Sequence, residues 1–317
     1  MLEVNSVLGR VGTDRLGYTL MHEHVVTGSA GIWQTYPELL GPLDRLQAEA
    51  VAALVRAREG GVDTIVDLTA VDLGRNVRFL AEVARQSAMT VIAATGAWLD
   101  APRAFYLRTP DQVAAVFRRE IEEGIEGTAI RAGIIKVAND AEGVTAHGEV
   151  ILRAAARAAK ATGVPIATHS YAPGRVGDQQ VAVFRDEDMD LSRVVIGHSN
   201  DTTDLEYLTG LLRAGCYLGL DRFPGRIGPD WEQRTEVIFR LIQQGWGHRL
   251  LLSHDWQVLG GFRTSVVEES RRMNPDEYLF LSRRVLPRLR ERGVDQESLT
   301  KIMVDNPRSF FEGTKTA

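Results

Sequence analysis

Six side chains in this chain have the types and spacing for metal-ion chemistry. His22 and His24 follow a short apolar run at residues 18–21. His169 closes the run 165–168, His198 closes 194–197, and Asp255 follows 249–253. Each lies at the C-terminal end of a run that reads as a β-strand. Side chains repeat every two residues along a strand, so the imidazoles of His22-x-His24 point the same way and can grip one metal ion. Such a pair, taken alone, is more often two hydrogen-bonded core histidines. Five coordinating side chains, all at strand ends, favour a metal centre.

Lys136 is the sixth. It interrupts the run 133–137, Gly-Ile-Ile-Lys-Val. A charged ammonium in a buried strand costs several kcal/mol, at roughly the magnitude of any unpaired buried ion. Burial also lowers the pKa of lysine and makes its amine nucleophilic. Such an amine can take up carbon dioxide and become a carbamate, N6-carboxylysine, in effect a long carboxylate able to bridge two cations. The alternative is a lysine that snorkels from the strand end. Histidines on neighbouring strand ends favour the carbamate.

The elements that must hold these residues alternate along the chain. Near-continuous apolar runs at 18–21, 64–68, 91–95, 133–137, 165–168, 194–197, 217–220 and 249–253 read as parallel strands buried on both faces. Amphipathic helical stretches separate them. Thr109-Pro110-Asp111-Gln112 offers an N-cap, a proline in the first helical position and a capping-box partner, and Asn274-Pro275-Asp276-Glu277 repeats that logic. Gly60-Gly61, Gly163, Gly215 and Gly245 mark helix ends. Eight strands alternating with helices predict a (β/α)8 barrel as a single domain over residues 1–317, whose C-terminal strand ends converge on one rim. A doubly wound sheet is the runner-up, but no G-x-G-x-x-G loop follows the first strand.

The other histidines read differently. His147 at a helix start and His248 in a turn are expected at the surface. His254 adjoins Asp255 and so points to the other side of its strand. Asp201 either opens an ordinary helix, with Thr203 and Glu206 as a capping box, or accepts a proton beside the site.

Composition sets the broad class. The 317 residues are 44% hydrophobic and 25% charged, with a formal charge of −5. There is no basic excess of the kind that binds nucleic acid. The single cysteine, Cys216, excludes an intrachain disulfide. No segment approaches the ~18 consecutive apolar residues of a membrane span. The first residues lack the layout of a signal peptide, so a cytoplasmic location is the default expectation.

Together these motifs resemble the phosphotriesterase family of the amidohydrolase superfamily. The resemblance runs from Gly9-Arg10-Val11 and the segment 16–24, through 61–67 and Ala94-Thr95-Gly96, to 130–136, Gly197-His198 and Asp255. It implies a TIM barrel with a binuclear centre, usually of zinc, sometimes of cobalt, manganese or iron. By that resemblance His22, His24 and Asp255 hold the more buried ion and His169 and His198 the more exposed one. Carboxylated Lys136 and a hydroxide bridge them. The hydroxide attacks an organophosphate triester or a lactone, and Asp255 accepts its proton. A homodimer is also implied, with Trp33, Tyr36 and Pro37 as candidate apolar surface or, equally, a cap on the barrel.

The substrate signals are mixed. Trp98, within Gly96-Ala97-Trp98-Leu99-Asp100, resembles the triesterase pattern, as do Asp255-Trp256, Asn274-Pro275 and Gly28-Ser29-Ala30-Gly31. Leu73, Trp98, Arg222 and Trp256 are the expected substrate-binding residues. Arg222 stands where a typical triesterase has a relay histidine, and the segment 224–231 is short; both features resemble the lactonases. Asp255, Asp201 and Arg222 are the expected catalytic residues, although a guanidinium cannot shuttle protons at neutral pH. Phosphotriesterase activity is the favoured expectation, and lactonase activity stands close behind it. A mononuclear amidohydrolase and a non-catalytic barrel are the remaining alternatives.

Overall fold

The computed structural model describes residues 2–225, 228–260, 269 and 271–313. Eight parallel strands follow one another in order around a curled sheet. They are β3 (Thr19–Thr27), β4 (Thr64–Asp67), β5 (Thr90–Gly96), β6 (Ile134–Ala138), β7 (Ile166–His169), β8 (Val194–Ile196), β9 (Tyr217–Leu220) and β10 (Leu250–Leu252). All eight expected runs are strands, and the fold is a (β/α)8 barrel. The helices α2 (Leu43–Glu59), α3 (Val77–Ser87), α4 (Pro110–Glu122), α5 (Ala146–Thr162), α6 (Val176–Asp186), α7 (Leu205–Ala214) and α8 (Trp231–Gln243) stand between them. No helix among the described residues is long and apolar enough to cross a membrane.

The strands are apolar because both faces are covered. Met21, Val66, Ile92, Ala94, Ile134, Ala167, Val195 and Leu251 pack together in one buried cluster, whereas Leu20, Ile65, Val91, Ala93, Ile135 and Ile166 belong to a second cluster shared with the helices. The alternation follows the strand period of two. It breaks once, in β3. Leu20 is paired with Ile65 but Glu23 with Asp67, so three steps on β3 face two on β4. This bulge shifts the phase of β3 just before the metal-type histidines, a re-aiming that bulges commonly perform beside active sites.

Two further elements lay outside the sequence expectation. β1 (Glu3–Ser6) and β2 (Gly9–Gly12) form an antiparallel hairpin. It docks where Asn5 donates to the Ala132 carbonyl at 3.0 Å and Val7 N–H to the Val91 carbonyl at 2.9 Å. β11 (Gln257–Gly260) pairs in parallel with β3, setting Gln257 opposite His24. The residues that follow β10 close the barrel onto β3 by single bonds: His22 N–H to Ser253 Oγ at 2.9 Å, Asp255 N–H to the His22 carbonyl at 3.0 Å, and His24 N–H to the Trp256 carbonyl at 2.8 Å.

The helix ends mostly follow the expected chemistry. Thr109 makes the complete capping box with Gln112, and α2, α5 and α7 end on Gly60, Gly163 and Gly215. Two expectations are corrected. α7 is capped by Asp204, whose Oδ1 accepts from Tyr207 N–H at 3.1 Å, not by Thr203 with Glu206. Asn274 does not cap a helix either. Its amide donates to the Glu277 carbonyl, and the helical turn starts at Glu277. Asp276 instead pairs with Arg283 and Arg284. Asp204 stands immediately before the first residue of α7, so its carboxylate reaches the free N–H groups of the first turn in place of Thr203. Trp33 turns inward, donating to the Gly74 carbonyl at 2.6 Å and packing on Phe79, while Tyr36 stays exposed.

Gly96 ends β5 with φ +109°, and a Cβ there would collide with the Lys136 carbonyl oxygen. Gly96→Ala is therefore expected to cost on the order of 2 kcal/mol or more of stability. A lowered urea midpoint checks this; an unchanged midpoint would contradict so close an approach of β5 to β6.

Candidate functional site

The expected residues meet at the C-terminal mouth of the barrel. His22, His24, Lys136, His169, His198, Arg222, Asp255 and Trp256 line one cavity of about 450 Å³, together with Leu73 and Trp98. The four histidines and Lys136 are buried. His24 Nε2 lies 3.2 Å and His22 Nε2 3.5 Å from Asp255 Oδ1. Lys136 Nζ lies 3.1 Å from His22 Nε2, and His198 Nε2 lies 2.8 Å from His169 Nδ1. Ligand atoms of His22, His198 and Asp255 all fall within 4.8 Å of one another, close enough to hold a metal ion.

The histidines are oriented from behind. Asp221, directly after β9, takes His22 Nδ1 on one oxygen at 2.7 Å and His198 Nδ1 on the other at 2.9 Å. Thr69 Oγ1 lies 2.9 Å from His24 Nδ1. His169 turns its Nδ1 toward His198 Nε2, whereas the contacts with Asp221 and Thr69 hold the Nδ1 atoms of His22, His24 and His198 and leave their Nε2 atoms turned to the cavity. That is how metal-binding imidazoles are usually prepared. The donor set of imidazole nitrogens, a carboxylate and a buried amine suits a borderline cation such as zinc.

Electrostatics point the same way. Burial pulls Lys136 down to about 8, against the opposing pull of Asp255 and Asp221. Burial, then Lys136, lowers His22; burial, then Arg222, holds His198 well below its ordinary value. Burial also lowers His169. Neutral imidazoles are the form that binds metal. Burial works to raise Asp255, but His22, His24, His198 and Arg222 outweigh it and keep the carboxylate ionised.

Asp201 is no bystander at a helix entry. Arg222 Nε donates to Asp255 Oδ2 at 3.1 Å, and its Nη1 to Asp201 Oδ2 at 2.5 Å. Arg234, fully buried, donates to the other Asp201 oxygen at 2.7 Å. Asp255, Arg222, Asp201 and Arg234 thus form a chain of alternating charge. Residues 226 and 227 of the segment 224–231 lie outside the described residues.

Trp98 Nε1 lies 3.4 Å from His169 Nδ1, and its backbone N–H is held by Asp72. His254 is buried and turned away from the cavity centre, its Nδ1 on Glu23 at 2.7 Å. His147 packs against Tyr106, and His248 is bonded to the Gly245 carbonyl; neither touches the site. Asp221, Glu23 and Arg234 escaped the sequence reading. An acid just after the seventh barrel strand, at the level where other strands end in histidine, was the available signal for Asp221.

Asp221→Asn keeps the volume but loses one of the two acceptors. A fall of about 10- to 100-fold in metal affinity or turnover is expected. Chelator competition monitored by metal analysis checks it, and an unchanged affinity would show that the shared carboxylate does not tune the imidazoles.

Comparison with known proteins identifies the family. Residues 2–311 match the phosphotriesterase family. The chain is 41% identical over 323 residues to a phosphotriesterase homology protein of Mycobacterium tuberculosis, covering 98% of each chain. It is 34% identical over 299 residues to an aryldialkylphosphatase of Saccharolobus solfataricus, covering 93% of this chain and 95% of that one. The solved structure of the phosphotriesterase from Mycobacterium tuberculosis superposes with a TM-score of 0.92 at 41% identity, covering 98% of both chains. The chain belongs to the phosphotriesterase family and is a hydrolase.

Proposed function

We propose that the chain is a binuclear metal-dependent hydrolase of organophosphate triesters, with lactones as a second substrate class. The observation that carries this reading is the convergence of four imidazoles, one carboxylate and a buried lysine amine on one cavity. His22, His24 and Asp255 would hold the more buried ion, and His169 and His198 the more exposed one. Lys136, as N6-carboxylysine, would bridge them. Two divalent ions held there, zinc foremost, would supply the acidity that makes water a nucleophile and the positive charge that polarises a phosphoryl or carbonyl oxygen.

The remaining work falls to the chain. Asp255, ionised and facing the cavity, takes the proton of the attacking water. Arg222 holds Asp255 Oδ2 but cannot pass that proton on, because Asp255 and Asp201 push its guanidinium pKa up despite burial. The proton therefore leaves by the open rim. Leu73, Trp98 and Trp256 supply an apolar wall for an aryl leaving group. The lactonase reading is favoured by Arg222, since a relay base is absent from that position. A homodimer and a cytoplasmic location complete the proposal, with exposed Tyr36 as one candidate for the dimer surface.

Purified enzyme is expected to carry about two metal equivalents and to hydrolyse a paraoxon-like triester and a lactone in a parallel kcat/KM panel. One equivalent would favour a mononuclear amidohydrolase, and no turnover of triesters, lactones or aryl esters a non-catalytic barrel. Trp98→Ala should lower kcat/KM for aryl triesters about tenfold, the worth of one well-placed aromatic contact. Unchanged triester turnover would remove the support for a triester preference. Protein equilibrated with ¹³C-bicarbonate should show a carbamate carbonyl resonance that Lys136→Met abolishes; its absence from the wild type would refute the carboxylated bridge.

A further inference from the structure

The side chain between the two metal-type histidines is the feature that the proposed chemistry leaves unused. Glu23 is fully buried, and the β3 bulge turns it to the side opposite His22 and His24. Among the described residues, the hydrogen bonds its carboxylate accepts come from residues 253, 254 and 256, around Asp255. Oε1 accepts from Ser253 Oγ at 2.7 Å, from His254 N–H at 2.9 Å and from His254 Nδ1 at 2.7 Å. Oε2 accepts from Trp256 N–H at 2.9 Å. Ser253 Oγ in turn accepts from His22 N–H. Leu281 N–H donates to His254 Nε2 at 3.1 Å, which fixes the Nδ1–H tautomer that Glu23 binds.

Asp255 is the residue these bonds straddle. It has φ +55°, a left-handed conformation that a non-glycine residue rarely keeps without outside support. In that conformation its carboxylate meets His22 and His24. Released, the turn would relax toward ordinary backbone and swing Oδ1 away from both imidazoles.

We propose that Glu23 is a positioning residue that acts through Asp255. It pins the backbone on both sides of that residue, so that the carboxylate of one strand end meets the histidines of another across the barrel seam. The proposal rests on the metal-centre reading given above. Glu23 touches neither cavity nor substrate. Its effect is therefore on metal retention and on kcat, with little change in KM.

The test is chelator competition on intact protein, with zinc measured on the same samples, alongside kcat, KM and thermal midpoint. Glu23→Gln cannot accept from Trp256 N–H and Ser253 Oγ together with both His254 donors. It is expected to lose zinc at about 10- to 100-fold lower chelator concentration and to lose kcat in step, KM staying within about threefold. Glu120→Gln removes a largely buried acid outside the site, the partner of Arg75 behind β5. It should lower the thermal midpoint and leave zinc retention alone. If Glu23→Gln does not fold, Ser253→Ala removes one arm of the same clasp and should show a smaller loss in the same direction. Wild-type protein that binds two zinc ions while the folded variant holds them equally tightly overturns the proposal alone. Loss of zinc from Glu120→Gln in equal measure overturns it too, by reducing the effect to stability. Wild-type protein that binds no divalent metal overturns the metal reading and this proposal with it.

Discussion

A lysine amine sealed inside the barrel is the constraint around which this site is built. Lys136 is 1% exposed, and its Nζ meets the His22 imidazole at 3.1 Å rather than a carboxylate. The fall of its pKa from 10.5 to about 8 corresponds to about 3 kcal/mol in favour of the neutral amine. A structural lysine would be better replaced by leucine. On the proposed reading, a lysine in such a place, with imidazoles on neighbouring strand ends, serves chemistry that uses the amine. The same burial that makes the ammonium costly makes the amine available, so the constraint and the function have one cause.

The strands and the ligand-type residues were legible from the sequence for the same reason. A parallel strand covered on both faces must be apolar along its length, so a polar residue at its end stands out. His169, His198 and Asp255 stand out in that way. The hairpin β1–β2, the strand β11 and the β3 bulge were not legible, because each is defined by a partner distant in sequence. The bulge matters most. A strict period of two places His22 on the face of Leu20, toward the helices. The extra residue of β3 is what turns both histidines inward and Glu23 outward. Arg234 was invisible for a related reason. It reads as an exposed charge on an amphipathic helix, yet Asp201, Asn200 and Pro229 close over it.

Two of the residues in the proposed metal centre, His198 and Asp255, hold left-handed backbone, with φ +58° and +55°. Strain of this kind costs of order 1–3 kcal/mol per residue and persists only where surroundings over-determine it. Buried carboxylates do that here. Asp221 accepts from the backbone N–H of His198 as well as from its ring, and Glu23 clasps the backbone around Asp255. Each acid joins strands that are not neighbours in sequence. The fold therefore stabilises the candidate site with polar bonds behind the cavity, whereas its helices pack through apolar side chains.

The chain Asp255–Arg222–Asp201–Arg234 shows how one arginine sets the electrostatics of the candidate site. A histidine beside Asp255 could accept its proton and hand it on. A guanidinium held between two carboxylates does the opposite: it stays protonated and favours the ionised form of Asp255. On the proposed mechanism, that favours reactions in which Asp255 needs to be basic only briefly and in which the leaving group stabilises its own charge, as an aryloxide does. It also favours lactones, whose alkoxide stays tethered to the product and can collect a proton from solvent at the open rim. Turnover of substrates with poor, untethered leaving groups demands a proton delivered inside the site, and this arrangement has no titratable carrier between Asp255 and Asp201. The preference between triester and lactone is thus a question about the leaving group as much as about the shape of the pocket.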